Sequence, residues 1–235
     1  REAGRDVYSD KWEEIEEDLG RDEFDSIFPH VTMIFLRAKT RRTVVEEIRE
    51  TIFRDHPGAQ FVDEVVVPYA DAYATIRGEC YESADQAEDV NRWFKWLNRL
   101  DNVDWIPPAM KFLRDHNQQP EDLCRFLGAL ERLAAGMLIT KVYRDSRIQR
   151  YGLLLRRMGT DDDLFADDSP LQLTEQERRD VLERLDGPIY KLASVPSYVL
   201  LRLDSLVSSG DAMYDHSTLT VEHVLPQNPP EGSEW

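Results

Sequence analysis

The chain has 235 residues, of which 41% are hydrophobic, enough for one large domain or two small ones around a filled core. Its 46 acidic and 29 basic side chains give a formal charge of −17 at pH 7, so the chain as a whole lacks the basic surface with which proteins hold a DNA backbone. We recognise no signal peptide and no apolar run near the roughly 20 residues of a membrane-spanning helix, which predicts a cytoplasmic protein without a membrane partner.

The hydrophobic pattern predicts an all-α bundle of eight to ten helices. A first helix follows Ser9 and ends at Gly20. A short helical turn before Pro29 and a buried helix from His30 to Lys39 come next. Because His30 stands beside a proline at a predicted helix start, we expect it to be a capping or surface residue rather than a metal ligand.

The next two predicted helices are separated by the sequence His56-Pro57-Gly58, which ends a helix beginning at Thr43. The following segment, 60–79, contains three consecutive valines that would suit a strand. Its aromatic residues recur at a spacing of four, however, which favours a helix. Pro68 predicts a kink or a break in that helix.

The second half of the chain contains further predicted helices at 84–100, 108–117, 120–143, 146–158, 175–185 and 196–208. The helix at 120–143 is predicted to be central, and Gly128 and Gly136 on nearly one face of it would let a partner helix approach closely. Trp93, Phe94 and Trp96 suit a helix interface, which we favour, or the stacking of nucleic-acid bases. The core is predicted to include Trp12, Ile48, Tyr73, Trp93, Phe126, Leu130, Met137 and Leu203.

Two features that often mark metal sites are interpreted otherwise here. The five aspartates in 159–170 lack the ligand register and the glycine of a calcium loop, so we predict a mobile acidic connection. Cys80 and Cys124 lie far apart without C-x-x-C spacing, which predicts neither a zinc site nor a disulfide and fits a reducing compartment.

Positive charge is concentrated around the helix predicted at 146–158. The interpretation that we favour is a solvated face whose side chains pair with nearby acids. The alternative is contact with phosphate or with an acidic module of the same protein. The five residues concerned are Arg144, Arg147, Arg150, Arg156 and Arg157.

The most compact chemical signature is the stretch from Thr218 to Trp235, which begins Thr-Leu-Thr-Val-Glu-His-Val-Leu-Pro. Its β-branched and apolar residues predict a short strand that ends at Pro226, because proline cannot donate to a ladder. Successive side chains on a strand point to opposite faces, so Glu222 and His223 are expected on different faces.

The order Val-Glu-His-Val-Leu-Pro-Gln at 221–227 resembles the first strand of HNH (ββα-metal) nucleases. The resemblance implies that His223 is the general base and that Glu222 is a ligand of a divalent metal, expected to be Mg²⁺. Phosphodiester cleavage needs a base that titrates near neutral pH and a hard cation held by oxygen ligands. Taken alone, a Glu-His pair is more often an ordinary surface pair on a short strand, and the surrounding residues favour the nuclease.

More narrowly, the residues from Thr220 to Asn228, with Trp235, are similar to the start of the C-terminal nuclease domain of GmrSD-type modification-dependent restriction proteins. The segment 11–15 resembles the opening of that family's helical middle region, and 198–204 resembles the helix that leads into the nuclease. The resemblance implies that the intact protein acts on DNA and that an N-terminal nucleotidase domain of the same protein is a partner.

The predicted organisation is a helical domain at 1–210 and the start of an HNH-like nuclease domain at 211–235. The second strand and the helix that complete the metal shell of an HNH site would lie beyond Trp235, and the family's nucleotidase signature is not found upstream. We therefore expect a fragment of a metal-dependent defence nuclease that is inactive by itself and holds no metal. The alternative is a non-catalytic helical scaffold that mediates interdomain or subunit contacts.

Overall fold

A computed structural model of the chain describes residues 2–207 and 231–232, with side chains from residue 8 onward. Within these residues the fold is all-helical, with no strand, and the helices pack as a bundle. The all-α prediction is therefore confirmed. The strand predicted at 218–225 lies outside the described residues.

The bundle is built from helices of very different lengths. They are α1 (Glu2–Leu19), α2 (Arg21–Leu36), α3 (Val44–Glu47), α4 (Phe53–Asp55), α5 (Val67–Gly78), α6 (Ala87–Asn98), α7 (Ile106–Asp115), α8 (Pro120–Ile139), α9 (Arg144–Arg157), α10 (Glu175–Leu185) and α11 (Val195–Val207). A π-helical segment, Ile48–Ile52, joins α3 to α4, and a second, Phe61–Val66, leads into α5. The three valines at 65–67 are thus helical, as predicted, and Pro68 lies in the first turn of α5. None of the helices in the described part of the chain is long and apolar enough to cross a bilayer.

Helix α2 corrects the prediction of a helical break at Pro29. The proline lies inside one continuous helix, where its missing N–H leaves the Asp25 carbonyl without its usual donor. Burial of residues such as Ile27 and Val31 holds the helix together across this position. His30 is consequently in mid-helix, half-buried, with its ring stacked on that of Tyr73 at 5.8 Å, rather than at a cap.

Helix α8 is the central element, as predicted, and residues on most of its sides are buried. A Cβ at Gly128 would lie 3.0 Å from Cζ2 of Trp93 in α6, so glycine permits the close packing of these two helices. At Gly136 the close neighbour is Leu173, which precedes α10 and is not part of a helix. Phe94 and Trp96 are buried, which confirms that they serve helix packing.

The predicted core is correct for its central members. Tyr73, Phe126, Leu130 and Met137 are buried. The remaining four are less enclosed: Trp12, Ile48 and Trp93 are half-buried, and Leu203 is 54% exposed. The prediction for Leu203 is wrong because the buried residues of α11 are Val195 and Tyr198, at its first turn.

The described chain divides into two compact units, 1–182 and 183 onward. In the first unit, α5 packs on α7, α6 packs on α8, and α2 contacts α5, α7 and α9. In the second, α11 contacts the 3₁₀ turn Ile189–Lys191. The boundary predicted at 210/211 lies outside the described residues and stays a prediction.

Candidate functional site

The two residues predicted to carry the chemistry, Glu222 and His223, lie outside the described residues. Their roles as metal ligand and general base therefore stay predictions. Across residues 2–207 and 231–232, no group of three or more histidine, cysteine or carboxylate side chains is placed to hold a metal ion.

The arginines of α9 are bonded within the protein, beginning with Arg147 near its first turn. The guanidinium donates from Nε and Nη2 to Oδ2 of Asp104, at 2.8 and 2.7 Å, and from Nη1 to the carbonyl of Val142 at 2.7 Å. The side chains of Asp104 and Arg147 are 8% and 18% exposed, so this ion pair is largely desolvated. Tyr151, one turn further along α9, is fully buried, and its burial raises the pKa of the phenol far above its usual range.

Arg150 and Arg157 anchor the aspartate-rich segment that follows α9. Arg150 donates to the carbonyls of Pro170 and Gln172, and Arg157 donates to the carbonyl of Asp163 at 2.9 Å. Arg157 also pairs with Asp168 at 3.0 Å. The segment is therefore attached to α9 at several points, in contrast to the mobile connection predicted from its composition.

Arg156 and Arg144 complete the cluster. Arg156 donates from Nη1 to the carbonyl of Arg37 at 2.6 Å, which ties the end of α9 to the end of α2. The side chain of Arg144 is 75% exposed, with Nε 3.7 Å from Asp104. Pairing with acids is confirmed for four members, Arg144, Arg147, Arg150 and Arg157. Contact of the cluster with phosphate stays a prediction, for which Arg144 offers an exposed guanidinium.

A separate polar pocket of about 240 Å³ lies between α2, α5 and α7, and it was not predicted from the sequence. It brings together the guanidinium-bearing residues Arg37 and Arg114 with Lys111. We call it the polar pocket and define it by Ile34, Phe35, Arg37, His56, Glu64, Tyr69, Lys111 and Arg114. Its members are spread over 81 residues of sequence, from 34 to 114, and no spacing connects them, so only the fold reveals the cluster.

The cations of α7 share one carboxylate. Lys111 Nζ lies 2.6 Å from Oδ2 of Asp115, and Arg114 Nε lies 3.3 Å from its Oδ1. The Arg114 guanidinium also lies over the ring of Tyr69, 4.8 Å from the centroid. Burial raises the pKa of Tyr69 to about 12, against the opposing charges of Arg114 and Arg37. The phenol is therefore a protonated hydrogen-bond donor at neutral pH.

An apolar groove of about 630 Å³ opens on another part of the first unit. Its floor is formed by aromatic and aliphatic side chains, with Asp25 and Arg49 as the charged members. The residues that line it are Trp12, Asp25, Phe28, Pro29, Val44, Val45, Ile48, Arg49, Phe53 and Phe61. Grooves of this size and composition are typical of binding surfaces for apolar groups.

Comparison with known proteins adds no assignment to these sites. No family model matches the chain, and neither the curated proteins nor the solved structures contain a match. The sites are therefore interpreted from their own residues.

Proposed function

We propose that the chain is part of a metal-dependent, HNH-like DNA endonuclease of the restriction and defence type, similar to GmrSD-type proteins. The observation that supports the proposal is the sequence Thr-Val-Glu-His-Val-Leu-Pro-Gln-Asn at 220–228, followed by Trp235. It places an acidic residue and a histidine side by side, three residues before a proline. The other adjacent acid-histidine pairs, at 55–56, 115–116 and 215–216, lack this surrounding sequence.

In this proposal His223 accepts a proton from the water that attacks the scissile phosphate. Imidazole suits this step because its pKa lies near neutrality, so that a large fraction is unprotonated and able to act as a base. Glu222 would hold Mg²⁺ through a carboxylate oxygen, and the ion would supply positive charge near the phosphate oxygens. Further ligands would come from the remainder of the nuclease domain.

The helical part of the chain acts as structural support in this proposal. The charge of −17 opposes long-range attraction of DNA, and most arginines of α9 are bonded to acceptors within the first unit. Helix α11 precedes the motif in the sequence, and its apolar residues Leu203 and Leu206 are 54% and 70% exposed. An exposed apolar stripe at this place supports a further module packing beyond α11.

The test is a nuclease assay on the intact natural protein with a His223→Ala variant across a magnesium titration. Loss of the general base is expected to lower the cleavage rate by roughly 10² to 10⁴. His216→Ala is the matched control, because it removes an imidazole from outside the motif. Cleavage at the wild-type rate by the His223→Ala protein would contradict the proposal.

Melting curves of the same variants separate catalysis from folding. We expect the melting temperatures of the His223→Ala and His216→Ala proteins to equal that of the wild type. A Glu222→Ala variant is expected to need more magnesium for half-maximal rate, since one ligand is lost. Loss of activity accompanied by a large fall in melting temperature would instead assign a structural role to His223.

The second candidate function is a helical scaffold that binds a partner protein without catalysis. The apolar groove favours it, because an open apolar surface of this kind is often covered by a binding partner. The two functions differ in one observable: a scaffold gives no metal-dependent cleavage in the intact protein, whether or not His223 is present.

A further inference from the structure

We propose that the polar pocket binds a terminal phosphate group, carried either by inorganic phosphate or by a small phosphomonoester. The cations that would bind it are Arg37 at the end of α2 and Lys111 and Arg114 of α7. None of the residues of this pocket belongs to the motif at 220–228, so the inference does not depend on the proposed nuclease function.

Arg37 supplies a cation that has no acidic partner among the described residues. The residue ends α2 in the left-handed region, at φ 54°, and its N–H donates to the carbonyl of Met33 at 2.8 Å. Its own carbonyl accepts from Arg156, so the backbone is held on both sides. Among the described residues, no carboxylate lies within ion-pair distance of the Arg37 guanidinium, which is therefore available to an anion.

The Arg37 guanidinium lies next to Gly159, in space that a side chain at 159 would occupy. A Cβ added at Gly159 would lie 3.2 and 3.3 Å from Nη1 and Nη2 of Arg37, closer than ordinary van der Waals contact. A larger residue would push the guanidinium aside. The absence of a side chain at 159 thus helps to keep the Arg37 side chain in place.

The charges around the pocket leave a net excess of one positive charge. Arg37, Lys111 and Arg114 contribute three, whereas Glu64 on the pocket wall and Asp115 behind Lys111 remove two. Nδ1 of His56 lies 3.2 Å from the carbonyl oxygen of Ile52, and the His56 ring packs edge-to-face against Phe35. A phosphate dianion would accept hydrogen bonds from Arg37, which pairs with no acid in the described part of the chain, and from Lys111 and Arg114, which share the single carboxylate of Asp115.

The volume of the pocket and its hydrogen-bond donors favour a small anion over a larger ligand. Its volume of about 240 Å³ is below the range of roughly 300–1,000 Å³ that is usual for drug-sized ligands. Guanidinium groups match the planar pairs of oxygens that a phosphate presents, and the ammonium group of Lys111 adds a point charge. The phenol of Tyr69 is a further donor beside Arg114. These features suit a terminal phosphate better than a diester inside a duplex.

The experiment is isothermal titration calorimetry of the chain with sodium phosphate and, separately, with adenosine monophosphate, at constant ionic strength set by sodium chloride. We expect saturable binding of at least one of them. Arg37→Gln and Arg114→Gln should each weaken binding about tenfold, as expected for loss of one charge-assisted hydrogen bond. Glu64→Gln should tighten binding because it removes a repulsive charge.

The control is Arg179→Gln, which removes an exposed arginine of α10 that is not part of the pocket and should leave the affinity unchanged. Binding of phosphate itself identifies free phosphate as a sufficient ligand, and binding of the monophosphate alone identifies a phosphomonoester. No saturable binding of either ligand, or equal affinity in the Arg37→Gln protein, would overturn the proposal. Tightening by Glu64→Gln is an outcome that a misfolded variant cannot produce.

Discussion

Gly152 of α9 lies against the backbone at the end of α2. A Cβ at this position would stand 2.5 Å from the carbonyl oxygen of Arg37 and 3.1 Å from its carbonyl carbon. Both atoms are backbone, so neither can turn away as a flexible side chain could. The two helices can therefore lie this close together only because residue 152 has no side chain.

We expect Gly152→Ala to destabilise the protein by about 1–3 kcal/mol, as for other overpacked sites, even though alanine is the better helix former. The measurement is the free energy of unfolding from urea titration. Gln149→Ala, at an exposed position of the same helix, is the control and should be neutral or slightly stabilising. A Gly152→Ala protein that is more stable than the wild type would show that α9 and α2 can separate without cost.

The environment of His30 strongly lowers the pKa of its imidazole. Burial, and then the charge of Arg77, lower the pKa of His30 to about 4. The groups that face it are the ring of Tyr73, whose hydroxyl donates to Glu23, and Arg77. The folded protein therefore prefers the neutral imidazole.

This preference predicts a specific loss of stability in acid. The pKa in the folded state lies below that in the unfolded chain, roughly 6.5, so the stabilising contribution is present above pH 6.5 and is lost as the pH falls towards 4. The change attributable to His30 should reach roughly 2 kcal/mol at pH 4.5. The test compares urea unfolding of the wild type and His30→Gln at pH 7 and pH 4.5. The variant should lose less stability, and an equal loss in both proteins would refute the assignment.

At the scale of elements, α9 is the helix that holds the following segment in place. Arg150 and Arg157 bond to carbonyls of that segment, and Phe165 lies under the guanidinium of Arg125 at 3.7 Å. Leu171 and Leu173 are buried at its end. Composition alone, with five aspartates in 159–170, gives no sign of these contacts.

We expect this anchoring to protect the segment from proteases. Because Arg157 makes its bonds to Asp163 and Asp168, Arg157→Gln should raise the rate of cleavage within 159–170 several-fold under native conditions. The measurement is limited proteolysis followed by mass spectrometry of the fragments. Arg156→Gln, which leaves those two bonds intact, serves as the control. Equal rates of cleavage in the wild type and Arg157→Gln would show that other contacts hold the segment.

The helices were largely predictable because their apolar residues recur at helical spacing. The helix predicted at 175–185 matches α10, and that at 196–208 differs from α11 by one residue at each end. Prediction failed where tertiary contacts override a local signal. Pro29 indicates a helix end, but the burial of α2 outweighs one lost hydrogen bond.

The polar pocket could not be predicted for a different reason. Arg37, Tyr69 and Arg114 belong to three helices or helix ends, and their proximity depends on how α2, α5 and α7 pack. The arginines of α9, by contrast, were recognised as a cluster from their spacing. Their bonds to backbone carbonyls could not be predicted. Every residue carries a carbonyl, so the residue type does not show which one accepts a hydrogen bond.

For the molecule as a whole, net charge decides its behaviour towards nucleic acid. We expect the isolated chain of 235 residues neither to cleave DNA nor to bind it with sub-micromolar affinity at physiological salt, because its formal charge is −17. Fluorescence anisotropy with a labelled duplex, and a cleavage assay with magnesium, measure the two properties. Lysozyme, a strongly basic protein, serves as a positive control for electrostatic binding. Sub-micromolar affinity would show that a local group such as Arg144 outweighs the overall charge.

The bond from Arg156 to the carbonyl of Arg37 also constrains the order of events during synthesis. It joins positions 119 residues apart, so α2 leaves the ribosome long before its partner in α9 exists. Until then water solvates that carbonyl, and the end of α2 is free to fray. All residues that line the polar pocket have been synthesised once the chain reaches position 114. The residues that contact Arg37 from α9 and just beyond it, Arg156 and Gly159, are synthesised only later. A nascent chain stalled before α9 would therefore carry the lining of the pocket without its final shape.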